Sequence, residues 1–107
     1  MGASTFEVIA EPQRRHILDL LRTGEQPVGA LVEALGLSQP AVSKHLRVLR
    51  EAELVEVRAQ AQRRMYRVRS ERLREVDEWL APYRHMWARS LEKLSRHLDE
   101  MPASPSR

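Results

Sequence analysis

The stretch Gly36–Ala52, GLSQPAVSKHLRVLREA, constrains the fold more than any other, because residue types alone give its start, its buried side and its exposed side. Ser38 is a favoured N-cap residue, and Pro40 falls in the first turn, where a missing N–H costs nothing and a fixed φ suits a helix. A helix is therefore predicted over Ser38–Glu51. Val42, Leu46 and Leu49 recur at i, i+4 and i+7, which gathers three apolar side chains into one stripe that must face a core. Gln39, Ser43 and Arg47, each four residues apart, lie away from that stripe with Lys44 beside them. The outer face thus carries amide, hydroxyl and cationic groups.

These groups suit a DNA major groove. Gln bonds an adenine edge bidentately, Arg and Lys favour guanine or phosphate, and Ser adapts to either. Alone, such a face equally describes a solvated surface helix. The preceding segment decides between the two: Val28, Leu31, Val32 and Leu35 make a second short amphipathic helix, closed by Gly36 where a left-handed residue ends helices. Only a three- to four-residue turn containing glycine separates the two helices. This is a helix-turn-helix, with Ser38–Glu51 as its recognition helix.

The 107 residues, 42% hydrophobic and 31% charged, support one small domain, expected over residues 1–100, with a core modest enough to be shared with a partner. Net charge is only +3, from 18 Lys+Arg against 15 Asp+Glu, so the clustering of arginines matters more than the total. Cysteine is absent, which excludes disulfides, thiolate metal ligands and thiol redox switching. No apolar run approaches the roughly 18 residues of a membrane span. The opening MGASTFEV lacks the basic and apolar regions of a signal peptide. A soluble, cytoplasmic protein with no membrane partner is expected.

Thr5 is predicted to cap a short first helix carrying Phe6, Val8 and Ile9. Pro12 then opens a second helix with Ile17, Leu18, Leu20 and Leu21 apolar, ended by Gly24, and Gly24 to Pro27 turns into the helix-turn-helix. His16, between polar and apolar residues, reads as a surface or partly buried histidine rather than a ligand. After Ala52 the pattern changes to alternation at Val55/Val57 and Tyr66/Val68, which predicts a β-hairpin. Its polar middle, Arg58 to Arg64, contains no glycine, so a longer, mobile loop is expected at the tip. Arg58, Arg63 and Arg64 make this hairpin basic, as in the wing of a winged helix, which lays arginine into a minor groove or against phosphate.

From Ser70 and Glu71 a last helix is predicted to about Glu100, its apolar positions Leu73, Val76, Trp79, Leu80, Tyr83, Met86, Trp87, Leu91, Leu94 and Leu98 spaced by three and four. One stripe over seven turns exceeds what a small domain covers with its own helices, so homodimerisation is expected. Pro82 should kink or break this helix near Ala81. Residues 101–107, MPASPSR, read as a disordered tail.

The residues SQPAVSKHLRVLREAELVEVR, followed by RRMYRV, resemble the ArsR-type winged-helix repressors, the arsenical-resistance and metal-sensing family of bacteria and archaea; in order and length the resemblance spans Phe6 to about Glu100. It implies a mostly α fold with a small β-hairpin, a winged helix-turn-helix dimerised through terminal helices. Two recognition helices would enter successive major grooves, and repression would be relieved by an effector. By match to the family motif, Gln39, Ser43 and Lys44 are the DNA-contacting positions, with Arg47 on the same face and Arg63 and Arg64 in the wing. His45 flanks the core and suits packing or a phosphate contact. The dimer interface would use Phe6, Trp79, Tyr83, Trp87, Leu91 and Leu94.

The chain departs from the family pattern in three respects. Many members carry glycine where Glu53 stands, which bears on the geometry at the end of the recognition helix. Metal-sensing members place cysteines on the first helix of the helix-turn-helix, and Val28–Leu35 has none. A second family site, Asp-x-His-x10-His-x-x-Glu on the last helix, is matched only by His97 and Glu100, because its first half falls on Arg84 and Met86. His85 likewise has no ligand one turn away. No metal site and no cofactor are expected, and the aromatic WLAPYRHMW segment resembles a subgroup without metal ligands.

The leading expectation is a homodimeric, sequence-specific repressor of its own or a neighbouring operon, bound to double-stranded DNA at a pseudo-palindromic operator and released by a non-metal signal. Trp79, Tyr83 and Trp87, at i, i+4 and i+8, form an aromatic stripe that either packs as core or holds a small apolar effector. The alternatives are a winged-helix protein-interaction module without a DNA role and a metal-responsive repressor. Catalysis has no support: no carboxylate pair marks a cleft, no glycine-rich phosphate loop occurs, and Ser43 and His45, two apart on one helix, point in different directions.

Overall fold

The computed structural model describes residues 3–101. Its elements are α1 (Thr5–Ile9), α2 (Pro12–Leu21), β1 (Gln26–Pro27), α3 (Val28–Leu35), α4 (Gln39–Glu51), β2 (Val55–Gln60), β3 (Arg63–Val68), a 3-10 turn (Glu71–Leu73) and α5 (Arg74–Glu100). The chain divides into two compact units between Val76 and Asp77. The predicted tail lies, apart from Met101, outside the described residues.

Short α1 is closed at both ends by side chains. Its N-cap is Ser4 rather than the predicted Thr5: the Ser4 hydroxyl accepts from the Glu7 amide (3.1 Å) while the Glu7 carboxylate accepts from the Ser4 amide (2.8 Å). This reciprocal capping box satisfies two donors that a helix start leaves open. Thr5 instead is buried. At the other end, Arg14 donates to the Val8 carbonyl (3.3 Å) and Arg15 to those of Ile9 (2.7 Å) and Ala10 (3.1 Å), so α2 caps the helix before it.

Val8, Ile17, Leu21, Leu31, Val42, Leu46, Leu49, Leu54, Val55 and Tyr66 are buried together, all in the first unit. The stripe predicted for α4 accounts for three of them, Val42, Leu46 and Leu49, each at most 1% exposed. Burying each such side chain contributes about 1.5–3 kcal/mol, so this one face fixes how α4 sits against α2 and α3.

The sheet is antiparallel in the order β1-β3-β2. β1, absent from the sequence reading, is two residues pairing Gln26 with Tyr66 and Pro27 with Met65; its backbone follows β3 and carries no alternation of its own. The hairpin register runs from Val55↔Val68 to Gln60↔Arg63, so the polar tract is strand rather than a longer loop. Backbone pairing extends through it because polar side chains on an exposed ladder lose no hydration. Only Ala61 and Gln62 connect the strands, and Ala61 takes φ 55°, the positive value a tight hairpin needs at its first turn position.

From Asp77 onward, α5 supplies the second unit. It continues through Pro82 without the break expected near Ala81. The hydrogen bond that proline removes belongs to an exposed turn, where the loss is cheap because solvent can reach the freed carbonyl, and Arg84 braces this turn by donating to the Asp77 carbonyl (3.2 Å) and pairing with its carboxylate (2.9 Å). Trp79 and Tyr83 stack at a tilt of 44° with centroids 5.1 Å apart. No residue of α5 is buried.

Candidate nucleic-acid interface

α3 ends at Gly36 in the left-handed conformation (φ 68°), and the chain re-enters helix after Leu37 and Ser38. The Ser38 hydroxyl accepts from the Ala41 amide (3.2 Å), as its N-cap position requires. This turn is what holds α4 with its apolar stripe inward, and the predicted readout residues follow from it. Gln39, Ser43, Lys44 and Arg47 are all exposed, while His45 is half-buried at the margin of the face. No acidic side chain interrupts the run from Gln39 to Arg50.

The other end of α4 has a feature invisible to helix periodicity. The Leu54 amide donates to the Leu49 carbonyl (2.9 Å) and the Glu53 amide to that of Arg50 (2.9 Å), the two bonds of a Schellman motif. Glu53 occupies its left-handed position at φ 62°. The departure from glycine noted in the sequence therefore leaves the geometry intact and makes a glutamate adopt it.

In the wing, alternation along β3 sends Arg63 and Arg64 to opposite faces of the hairpin. Arg64 shares the face of Tyr66, and Arg63 shares the face of Glu56, Arg58 and Arg67. With Gln62 they border a cleft of about 550 Å³ whose other wall is the start of α3, Pro27 to Ala30. The wing's arginines divide into two electrostatic classes. Arg58 is bound bidentately by Glu25, and Arg67 pairs with Glu56. Among the described residues, Arg63, Arg64, Lys44 and Arg47 have no carboxylate partner. Lys44 and Arg47 on α4 and Arg63 and Arg64 at the wing tip are thus among the cations that keep their full positive charge. Sequence reading placed Arg58 with the tip arginines and missed Glu25, because the carboxylate that engages it lies 33 residues away.

Phe6, Trp79, Tyr83, Trp87, Leu91 and Leu94, the predicted interface residues, are all exposed, from 41% for Phe6 to 66% for Leu91. Among the described residues, no group of three or more His, Asp or Glu side chains is placed to hold a metal ion, and no helix is long and apolar enough to cross a membrane.

Comparison with known proteins agrees with this arrangement. Residues 11–57 match the family model described as bacterial regulatory protein, arsR family. The chain is 32% identical over 77 residues to the transcriptional repressor SdpR of Bacillus subtilis, covering 72% of this chain and 86% of that one. It is 34% identical over 76 residues to the arsenical resistance operon repressor of Staphylococcus xylosus, covering 71% and 73% respectively. Reduced HlyU from Vibrio cholerae superposes with a TM-score of 0.62 at 36% identity, over 73% of this chain and 82% of that structure. The helix-turn-helix, the wing and these likenesses together establish that the chain belongs to the arsR family of bacterial regulatory proteins, as a DNA-binding transcriptional regulator of winged-helix fold.

Proposed function

We propose that this regulator is a homodimeric repressor of its own or a neighbouring operon, that residues 1–100 act as one DNA-binding and dimerisation module, and that a non-metal signal releases it. The carrying observation is the exposed, acid-free face of Gln39, Ser43, Lys44 and Arg47, together with wing-tip arginines that no carboxylate among the described residues neutralises. Gln39 and Ser43 read base edges, Lys44 and Arg47 take guanine or phosphate, His45 contacts phosphate at the margin, and Arg63 and Arg64 hold the backbone. Dimerisation is supported by the apolar stripe of α5. Trp87, Leu91 and Leu94 are 56%, 66% and 53% exposed, and burying them against a second copy removes that surface from water. A two-fold dimer matches a pseudo-palindromic operator with half-sites roughly 34–36 Å apart.

Trp79, Tyr83 and Trp87 give the same stripe an aromatic segment suited to a small apolar effector. Such an effector would act by changing how the two protomers pack. Titration with a panel of apolar compounds, followed by tryptophan fluorescence, tests this part separately from the DNA reading.

The deciding experiment is a footprint of the purified protein on the DNA upstream of its own gene, with and without excess zinc and chelator. Protection of a two-fold-symmetric site, indifferent to both, is expected. Zinc-dependent release would replace the non-metal signal with a metal one. Absence of protection at every salt concentration would move the chain to the protein-interaction reading.

A further inference from the structure

We propose that Glu25 limits the number of cations the wing offers to DNA: by binding Arg58 bidentately it keeps that arginine off the phosphate backbone, which makes Glu25 a specificity-determining residue of the DNA complex. The inference rests on the DNA-binding reading of α4 and the wing.

Glu25 immediately precedes β1 and reaches across the outer face of the sheet to β2. Arg58 Nε donates to Glu25 Oε2 (2.7 Å) and Arg58 Nη2 to Glu25 Oε1 (2.6 Å), the two parallel bonds that match a guanidinium to a carboxylate. A third bond, from Arg58 Nη2 to Gln60 Oε1 (3.0 Å), fixes the fork further. Each group strengthens the charge of the other: the hydrogen bond from Arg58 holds the Glu25 carboxyl below its usual 4.5, and Glu25 raises the Arg58 guanidinium.

The position of Arg58 makes this sequestration matter. It pairs with Met65 while Gln60 pairs with Arg63, so Arg58 and Arg63 share a face two rungs apart, about 7 Å along the strand. With about 5 Å between neighbouring strands the two positions stand about 8–9 Å apart, comparable to the Debye length of roughly 8 Å at physiological salt and spanned by two arginine side chains, so a phosphate strand held by Arg63 passes within the field of Arg58. Left free, Arg58 would add a sequence-independent contact. Bound to Glu25, it contributes a neutral pair, and binding depends correspondingly more on the bases under Gln39 and Ser43. Arg58 remains half exposed, with 50% of its side-chain surface accessible, and Glu25 is the charged group that holds it.

The test is the salt dependence of binding to a random-sequence duplex and to the footprinted operator, with the full chain and anisotropy as the readout. For Glu25→Gln, the slope of log K against log salt should steepen by about 0.9 per protomer bound, the effect of one more phosphate contact. Random-DNA affinity should rise several-fold and the operator-to-random ratio should fall. The Glu25→Gln/Arg58→Ala double variant, which removes both charges of the neutral pair, should return to the native slope. Glu33→Gln, which removes an exposed acid elsewhere, should not steepen the slope. A slope flatter than the native one in the double variant would show that Arg58 already contacts phosphate and overturn the proposal, as would steepening that persists there or appears equally with Glu33→Gln. Weaker binding of a folded Glu25→Gln protein to both DNAs would instead make the pair a prop for the wing, and this too overturns it. Failure of the native chain to bind either DNA would overturn the DNA reading as well, whereas native binding with an unchanged Glu25→Gln slope would sink this proposal alone.

Discussion

Glu53, held in the left-handed region at the end of the recognition helix, accepts a hydrogen bond from Arg72 in the turn that leads into α5. The pair joins the C-terminus of α4 to the start of the last helix, so a backbone position that favours glycine also serves as a tether. The two roles oppose each other energetically and can be separated.

A left-handed residue with a Cβ costs about 1–2 kcal/mol, whereas an exposed ion pair contributes about 0–1 kcal/mol. Glu53→Gly should therefore stabilise the protein by about 0.5–1 kcal/mol, and Glu53→Ala, which keeps the Cβ and loses the pair, should be neutral or slightly destabilising. Urea denaturation midpoints of the two variants decide it. Equal destabilisation by both would mean that the tether outweighs the strain.

Readout and backbone residues should differ in what they change. Gln39→Ala and Ser43→Ala are expected to weaken operator binding by about 1–3 kcal/mol with little effect on random DNA, because a bidentate base contact is lost. Arg63→Ala and Arg64→Ala should weaken both and flatten the salt slope by about 0.9 for each phosphate contact removed. Equal losses on operator and random DNA for Gln39→Ala would take base reading away from that residue.

The N-cap of α4 should govern folding and binding together. Ser38→Ala removes the acceptor of the Ala41 amide and is expected to cost about 0.5–2 kcal/mol, while Leu49→Ala, at a fully buried position, should cost about 2–5 kcal/mol. Thermal melts give both values. Operator affinity of the Ser38 variant should then fall more than its melting shift accounts for, since the cap also sets where Gln39 stands.

The Glu25 carboxyl is held below 4.5 by the hydrogen bond from Arg58. A group whose folded value is depressed adds stability at pH above its ordinary value and loses it as pH falls through the folded value. Its contribution should therefore be complete above 4.5 and fade below, and in Arg58→Ala the titration of Glu25 should move up towards 4.5. A carboxyl-carbon NMR titration follows this directly. An unchanged Glu25 titration in Arg58→Ala would assign the depression to another group.

The α5 stripe should set oligomeric state. Leu91→Glu combined with Leu94→Glu places charge where apolar surface is expected to be buried and should convert dimer to monomer by sedimentation. Operator affinity should then drop by about 10²–10⁴-fold, the gain that coupling two half-sites provides. A native protein that sediments as a monomer at high concentration would remove the dimer from the account.

By itself the sequence determined the helix-turn-helix. The spacing of Val42, Leu46 and Leu49, the Ser38 cap and Gly36 are local signals, and local backbone preference and burial of one stripe agree there, so α3, the turn and α4 lie where they were read. The exposed face of Gln39, Ser43, Lys44 and Arg47 followed from the same wheel. Tertiary structure decided what depends on residues far apart in the chain. The backbone of β3, not any pattern in Gln26 and Pro27, makes β1 a strand. Cross-strand pairing carries β2 and β3 through a polar tract that reads as loop, and a positive φ at Ala61 closes a tip that has no glycine. Thr5 lost the capping role to Ser4 and instead donates to Glu75 (2.8 Å), a partner 70 residues away. Arginines indistinguishable in the sequence were sorted by fold-dependent carboxylates, Glu25 taking Arg58 and Glu56 taking Arg67, while Arg63 and Arg64 have no carboxylate partner among the described residues. Periodicity and caps act over one or two turns and are written in neighbouring residues. Charge pairing acts over a few ångströms of space, and only the folded chain brings those groups together.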